Sequence, residues 1–229
     1  ELLREAERVF SPSKFLAAMY NKEHAGVGVR HMRHGVSYSN IRKNVRKYQK
    51  ADRLTFFYGG SLTWHKGIHI LVDAFRQVRG EAELKIYGSG DFEKVVRNLA
   101  IYDKRIKFCG VFSAEQLGGI LSQVDAIILP SIWYENSPIM LLEALASDVP
   151  AIVTDLGGMA EAVKDGVTGR TFRLGDAAHL SEILQEIVDD PRLLNDYKEN
   201  IRGNFVPSVE QEALAYQKEY QAICRNKPL

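Results

Sequence analysis

Leu54-Thr55-Phe56-Phe57-Tyr58-Gly59-Gly60, then the apolar stripe Ile68, Leu71, Val72 and Phe75, then Leu84-Lys85-Ile86-Tyr87-Gly88-Ser89-Gly90, is the passage that decides the fold. A short apolar run that is continuous rather than alternating predicts a strand covered on both faces. The stripe behind it has helical spacing. The same unit recurs further along the chain. Ile106-Lys107-Phe108 ends near Gly110, Ala126-Ile127-Ile128-Leu129 ends in Pro130-Ser131, and Ala151-Ile152-Val153 ends in Thr154-Asp155. Leu180, Ile183, Leu184 and Ile187 repeat the helical stripe. Helix starts are predicted at Ser113 (a capping box with Gln116), at Ser137 as N-cap before Pro138, at Asp176 and at Asp190-Pro191. Strand alternating with helix at this spacing predicts an α/β protein with a Rossmann-like doubly wound parallel sheet.

The flanks differ from this body, which spans 54–205. Residues 1–36 predict a helix, a short strand at Arg8-Val9-Phe10, a helix from Ser13 to Glu23 and a strand from Val29 to Met32. They look like the end of a preceding domain, and the opening at Glu1 without a methionine suggests truncation. Residues 37–53 form a linker at the end of a basic stretch (Arg30, Arg33, Arg42, Lys43, Arg46, Lys47, Lys50), read as solvated with a functional basic patch as the alternative. Residues 206–229 form a last helix with Ala213, Tyr216, Tyr220 and Ile223 on its apolar stripe.

Composition bounds the partners. Thirty basic against 29 acidic side chains leave a formal charge of +1, which implies no overall attraction to nucleic acid or to a membrane surface. Cys109 and Cys224 lack metal or disulfide spacing, and no apolar run approaches the roughly 20 residues of a membrane span. A cytoplasmic protein without a metal site is expected.

Every unusual cluster follows a strand, where ligands bind in open parallel sheets. In Gly59-Gly60-Ser61-Leu62-Thr63-Trp64-His65-Lys66-Gly67 the glycines admit an anion, and Lys66 stands at the start of the next helix; a plain turn with a surface lysine is the alternative. Tyr87-Gly88-Ser89-Gly90 lacks the third glycine of a dinucleotide fingerprint, since Glu93 stands there. Glu135-Asn136-Ser137-Pro138-Ile139-Met140-Leu141-Leu142-Glu143 places two acids roughly 10 Å apart, too far to share a proton or flank one bond. They suit the two ends of an extended ligand whose diphosphate meets free helix amides; a capping acid and an exposed helix acid are the alternative. Asp155-Leu156-Gly157-Gly158-Met159-Ala160-Glu161 turns paired glycines toward the same rim.

In this order, with Phe108-Cys109-Gly110, Pro150 and Asp165-Gly166-x-x-Gly169, these motifs resemble glycosyltransferase family 4, the large retaining group with the GT-B fold. The resemblance is close over 54–173. It implies a nucleoside-diphosphate sugar as donor substrate, transfer of a hexose with retained anomeric configuration, and no cofactor or obligatory metal. It implies that Lys66 contacts the diphosphate and Glu135 the sugar hydroxyls, both as catalytic residues. Gly60, Ser61 and Gly88 would complete the donor site. Asn136, Ser137 and Pro138 would shape an amide cradle, with Ile139 and Met140 bordering the diphosphate or nucleoside. Glu143 would hold the ribose, and backbone around Val111 and Phe112 would border the base. The acceptor, a glycan or lipid-linked glycan, and a catalytic histidine would belong to an N-terminal domain of which 1–36 is the remnant, with any membrane contact made there too. The fragment is therefore expected to bind donor without robust turnover, its last helix crossing back toward that domain.

The sequence departs from the family at Ser61, where a second diphosphate-binding arginine is usual and His65 is a possible substitute. It departs again at Asp148, where glycine is usual in a turn. Alternatives are a nucleotide-sugar 2-epimerase, a non-catalytic nucleotide-sugar-binding module, and a nicotinamide dehydrogenase.

Overall fold

The computed structural model describes residues 2–203 and 206–225. Glu1, the domain boundary drawn at 205 and the end of the last helix beyond 225 lie outside them. The chain opens with α1 (Leu2–Glu5), β1 (Phe10–Ser11), α2 (Lys14–Glu23) and β2 (Arg30–His31), which pairs in parallel with β1. The body then alternates strand and helix as far as α8: β3 (Leu54–Gly59), α3 (Ile68–Gln77), β4 (Ala82–Tyr87), α4 (Glu93–Tyr102), β5 (Ile106–Phe108) and α5 (Ala114–Leu121). It continues with β6 (Ala126–Leu129), α6 (Ile139–Ala146), β7 (Ala151–Thr154), α7 (Gly157–Ala162), β8 (Gly169–Phe172), α8 (Ala177–Asp189) and α9 (Leu193–Arg202). The last helix is α10 (Val209–Arg225).

Six strands form one parallel sheet in the order β5-β4-β3-β6-β7-β8, the doubly wound Rossmann-like arrangement expected. Both faces are covered. On one, Phe56, Leu84 and Ile128 meet Leu71 and Phe75 of α3 and Leu180 and Leu184 of α8. On the other, Phe57, Ile127 and Val153 meet Leu121, Leu141 and Met159. Asp176 caps α8 by accepting from the His179 amide at 2.9 Å, and Gln116 accepts from the Ser113 amide at 2.8 Å, as their spacing predicts.

Several expectations are corrected. The first strand lies at Phe10–Ser11, after most of Arg8-Val9-Phe10, and β2 keeps only the centre of Val29–Met32. The edge strand β8 carries no apolar run, because Arg170 and Thr171 interrupt it and only its two ends are buried. Ser137 does not cap α6. Pro138 holds that position with extended backbone (φ −62°, ψ 118°), and its carbonyl accepts from Leu141 and Leu142.

The basic stretch is exposed at Arg42, Lys43, Arg46, Lys47 and Lys50, but it is also tied to the body. Arg46 Nη1 lies 2.9 Å from both carboxylate oxygens of buried Asp125, and Lys43 reaches Asp148 at 2.7 Å. Buried Tyr48 donates to Asp125 at 2.9 Å, and Lys198 donates to Asn44 Oδ1 at 2.8 Å. Asp148 adopts the left-handed conformation (φ 58°) that its turn demands, held by Lys43 and by Arg202 at 3.1 Å. On α10, Ala213 and Tyr220 of the expected stripe are exposed. The docked face carries Glu212, Tyr216 and Glu219, whose partners are His34, Phe10 and Arg8. Counting only apolar residues misses a face held partly by acids.

Candidate functional site

An open parallel sheet offers its crevice where the chain leaves neighbouring strands in opposite directions. Here that point lies between β3 and β6. From β3 the chain winds outward to β4 and β5, returns to β6, and winds the other way to β7 and β8. A cavity of about 290 Å³ opens there. Gly60, Ser61 and Lys66 line it from the loop after β3, and Ser131 and Glu135 from the loop after β6. Pro138, Ile139 and Met140 line it from the start of α6.

Local structure fixes each of these groups. Lys66 ends a 3₁₀ turn (Trp64–Lys66), and Gly67 follows at φ 69°. A Cβ on Gly67 would lie 1.8 Å from the Pro130 carbonyl oxygen, so glycine is what lets the two loops meet. Lys66 Nζ sits 2.5 Å from Glu135 Oε1, and Ser131 Oγ lies 3.0 Å from the same oxygen. Ser131 Oγ also lies 3.1 Å from the His65 carbonyl and accepts from the Trp133 amide at 3.3 Å. It therefore ties both loops to the acid. The Glu135 carbonyl accepts from the Gly158 amide at 2.9 Å. A Cβ on Gly158 would meet the Asn136 carbonyl oxygen at 1.6 Å, which explains the second glycine of the pair after β7.

Two groups were missed by sequence reasoning: Ser131, quoted only as part of a strand end, and Tyr58. The Tyr58 hydroxyl donates to the Ser61 carbonyl at 2.7 Å under the cavity, and burial, with the Glu135 charge beside it, pushes its phenol well above the usual value. No periodicity or spacing marks a strand tyrosine as a loop anchor.

The first amides of α6 to find backbone acceptors are those of Leu141 and Leu142. Ile139 and Met140 precede them, so two helix-start amides stand at the cavity wall beside Lys66, a place suited to an anion. Glu143 lies one turn further on the same face, beyond the cavity lining. It is half-buried, its carboxylate makes no ion pair or hydrogen bond among the described residues, and burial holds its pKa above the usual carboxylate value.

The remaining expected residues stand elsewhere. Asn136 and Ser137 line a different cavity, because the loop turns at Glu135 and Asn136 Oδ1 is taken by the Ser13 hydroxyl at 2.6 Å. Gly88 does not line the cavity but approaches Gly60 closely enough that a Cβ would meet its carbonyl oxygen at 1.8 Å. Phe112 packs on Tyr87 and Phe57 beside the end of β5, and Val111 is exposed next to it. His65, the possible substitute for the missing arginine, lies outside the lining, its ring edge-on to Trp133. Among the described residues no group of three His, Cys, Asp or Glu is placed to hold a metal, and no helix is long and apolar enough to cross a membrane.

Residues 40–204 match the family model described as "Glycosyl transferases group 1". An uncharacterized glycosyltransferase of Methanocaldococcus jannaschii is 32% identical over 135 residues, covering 57% of this chain and 34% of its own length. The glycogen synthase of Mycobacterium tuberculosis is 31% identical over 140 residues, covering 58% of this chain and 34% of its own. The chain thus spans about a third of the length of these relatives. Among solved structures, the Anabaena protein Alr3699/HepE in complex with UDP and glucose superposes with a TM-score of 0.81 at 17% identity, over 95% of this chain and 64% of that one.

Proposed function

This chain belongs to the glycosyl transferases group 1 family, and on that premise we propose that the cavity between β3 and β6 binds a nucleoside-diphosphate sugar. The whole protein would transfer its hexose, with retained configuration, to a glycan or lipid-linked acceptor in the cytoplasm. One observation carries the reading: Lys66, Glu135 and the first amides of α6 converge on one cleft at the switch point of the sheet. Lys66 and the Ile139 and Met140 amides supply positive potential for the diphosphate. Glu135 accepts hydrogen bonds from the sugar hydroxyls, and Glu143, a turn along the helix, accepts from the ribose. A fold neighbour solved with UDP and glucose supports the ligand class.

The chemistry follows from where charge develops. As the glycosidic bond to the diphosphate breaks, the sugar gains oxocarbenium character and the leaving oxygen gains negative charge. A fixed ammonium and fixed amides stabilise that charge without reorganising. Before the donor arrives, Lys66 and Glu135 satisfy each other. The donor separates them, its phosphate taking the lysine and its hydroxyls the acid. Ser61 offers no charge where the family often has arginine, so Lys66 carries the side-chain part of diphosphate binding alone.

A thermal-shift panel of UDP-, GDP- and ADP-sugars tests the proposal on this chain. A donor at 100 times its dissociation constant should add about 2.7 kcal/mol of stability. If no nucleotide sugar at millimolar concentration moves the melting temperature, the assignment fails.

A further inference from the structure

A second cavity, of about 340 Å³, shares no lining residue with the first. Neighbouring residues of one loop divide between the two, Glu135 and Pro138 facing the first, Asn136 and Ser137 the second. The second cavity is closed by the N-terminal segment, which brings Lys14 from the start of α2 and His31, Arg33 and His34 from the end of β2. Lys164, from the loop after α7, joins them.

The charge balance at its wall is one-sided. The one carboxylate among the lining residues is Glu161, and both its oxygens are already engaged, accepting from the amides of Lys14 at 3.1 Å and Phe15 at 2.9 Å. His34 has its own acid in Glu212, at 2.9 Å. The ammonium groups of Lys14 and Lys164 make no ion pair or hydrogen bond among the described residues. Two ammonium groups (Lys14, Lys164) therefore border a hollow whose one lining acid is committed to a helix start. Another part of the wall is apolar, formed by Leu142, Leu145, Ile201 and Val206.

From this arrangement we infer that the second cavity is a binding site for a phosphate monoester whose phosphate meets Lys14 and Lys164 and whose body lies on the apolar wall. A phosphate carries close to two negative charges at neutral pH and three acceptor oxygens, which suits two ammonium groups at one cavity better than a carboxylate does. An apolar portion gains further from leaving water. This inference does not rest on the donor-site reading and stands or falls separately from it.

Calorimetric titration of this chain at low ionic strength tests it, with phenyl phosphate, inorganic phosphate and benzoate as probes. Phenyl phosphate is expected to bind at one site, more tightly than inorganic phosphate, for want of an apolar body, and than benzoate, for want of charge. The double variant Lys14→Ala/Lys164→Ala, which changes two exposed side chains and should melt like the parent, is expected to weaken phenyl phosphate at least tenfold. Millimolar UDP should leave phenyl phosphate in place, whether or not UDP itself binds elsewhere. Equal binding by parent and variant, displacement by UDP, or benzoate or inorganic phosphate matching phenyl phosphate would each overturn the inference.

Discussion

Lys66 and Glu135 stand 2.5 Å apart with Ser131 on the same carboxylate oxygen, so each hides the other's ligand-binding capacity until a donor arrives. This makes their variants unequal. Replacing Glu135 with glutamine releases Lys66, so the free nucleoside diphosphate should bind as well as before or better. The sugar-bearing donor should lose roughly tenfold, the worth of about 1.5 kcal/mol in charge-assisted hydrogen bonds. Lys66→Ala should weaken both ligands by at least that factor. Calorimetry with whichever nucleotide the panel selects decides it, and equal losses of bare and sugar-bearing ligand in Glu135→Gln would remove the sugar role. Glu143 behaves differently because burial, with no partner, is what raises its pKa. A raised carboxylate pKa means that the folded state holds its proton longer. Its contribution to stability is present below the usual carboxylate range and is lost as pH rises through the folded value. At neutral pH Glu143→Gln should therefore raise the melting temperature slightly, by less than about 3 °C since the group is half-exposed and screened, while weakening every nucleotide. A lower melting temperature together with unchanged nucleotide affinity would contradict both halves.

At the scale of elements, the strands around the site were legible because continuous apolar runs such as Ala126–Leu129 can only be buried on both faces, and their ends fall where the sequence places them. The loops were legible as glycine pairs but not as geometry. Nothing in Asn136-Ser137 announces that the loop turns there toward a second cavity, since that follows from Ser13, 123 residues away, taking the asparagine oxygen. The basic stretch is exposed as its charge pattern suggests, but its anchorage is illegible for the same reason, its partner Asp125 being an unremarked acid just before β6. Burial raises the Asp125 pKa despite the Arg46 guanidinium, the Tyr48 hydroxyl and the Thr55 amide, so the pair gains little over a neutral equivalent. Removing one member is another matter. Arg46→Ala leaves a buried carboxylate without its counter-charge and frees the strap across β3 and β6. Since Arg46 is partly open to solvent, a loss of about 2–3 kcal/mol is expected, or roughly 5–10 °C in melting temperature. A shift under about 1 °C would show that the strap is held by Tyr48 and Asn44 instead.

For the whole molecule, the sheet order and the first 36 residues ask different questions of stability. The body closes on itself through the six-stranded sheet, whereas β1, α2 and β2 are held from two sides, by the body through Ser13 on Asn136 and the Lys14 and Phe15 amides on Glu161, and by the other end of the chain. The Val36 amide donates to the Pro207 carbonyl at 2.9 Å, Tyr216 meets Phe10 edge-on at 5.7 Å, and Glu212 accepts from His34 at 2.9 Å and from the Gly35 amide at 2.8 Å. The Gly35 amide and His34 outweigh the burial of Glu212, leaving its pKa below the usual value. With a depressed carboxylate, stability is present above the unfolded pKa and is lost as pH falls through the folded one. Acid should therefore loosen α10 from residues 10–36 while the sheet, whose buried acid Asp125 has its pKa raised rather than lowered, still resists. Hydrogen exchange measured on descending from neutral pH into the acid side of the carboxylate range should show residues 10–36 losing protection before β3, β4, β6 and β7. Glu212→Ala should reproduce that loss at neutral pH, roughly tenfold, because the Gly35 amide is left without its acceptor. If the segment and the sheet instead lose protection together under both conditions, the two ends of the chain are part of one cooperative unit with the body. The docking of α10 would then contribute to global stability rather than to a local opening.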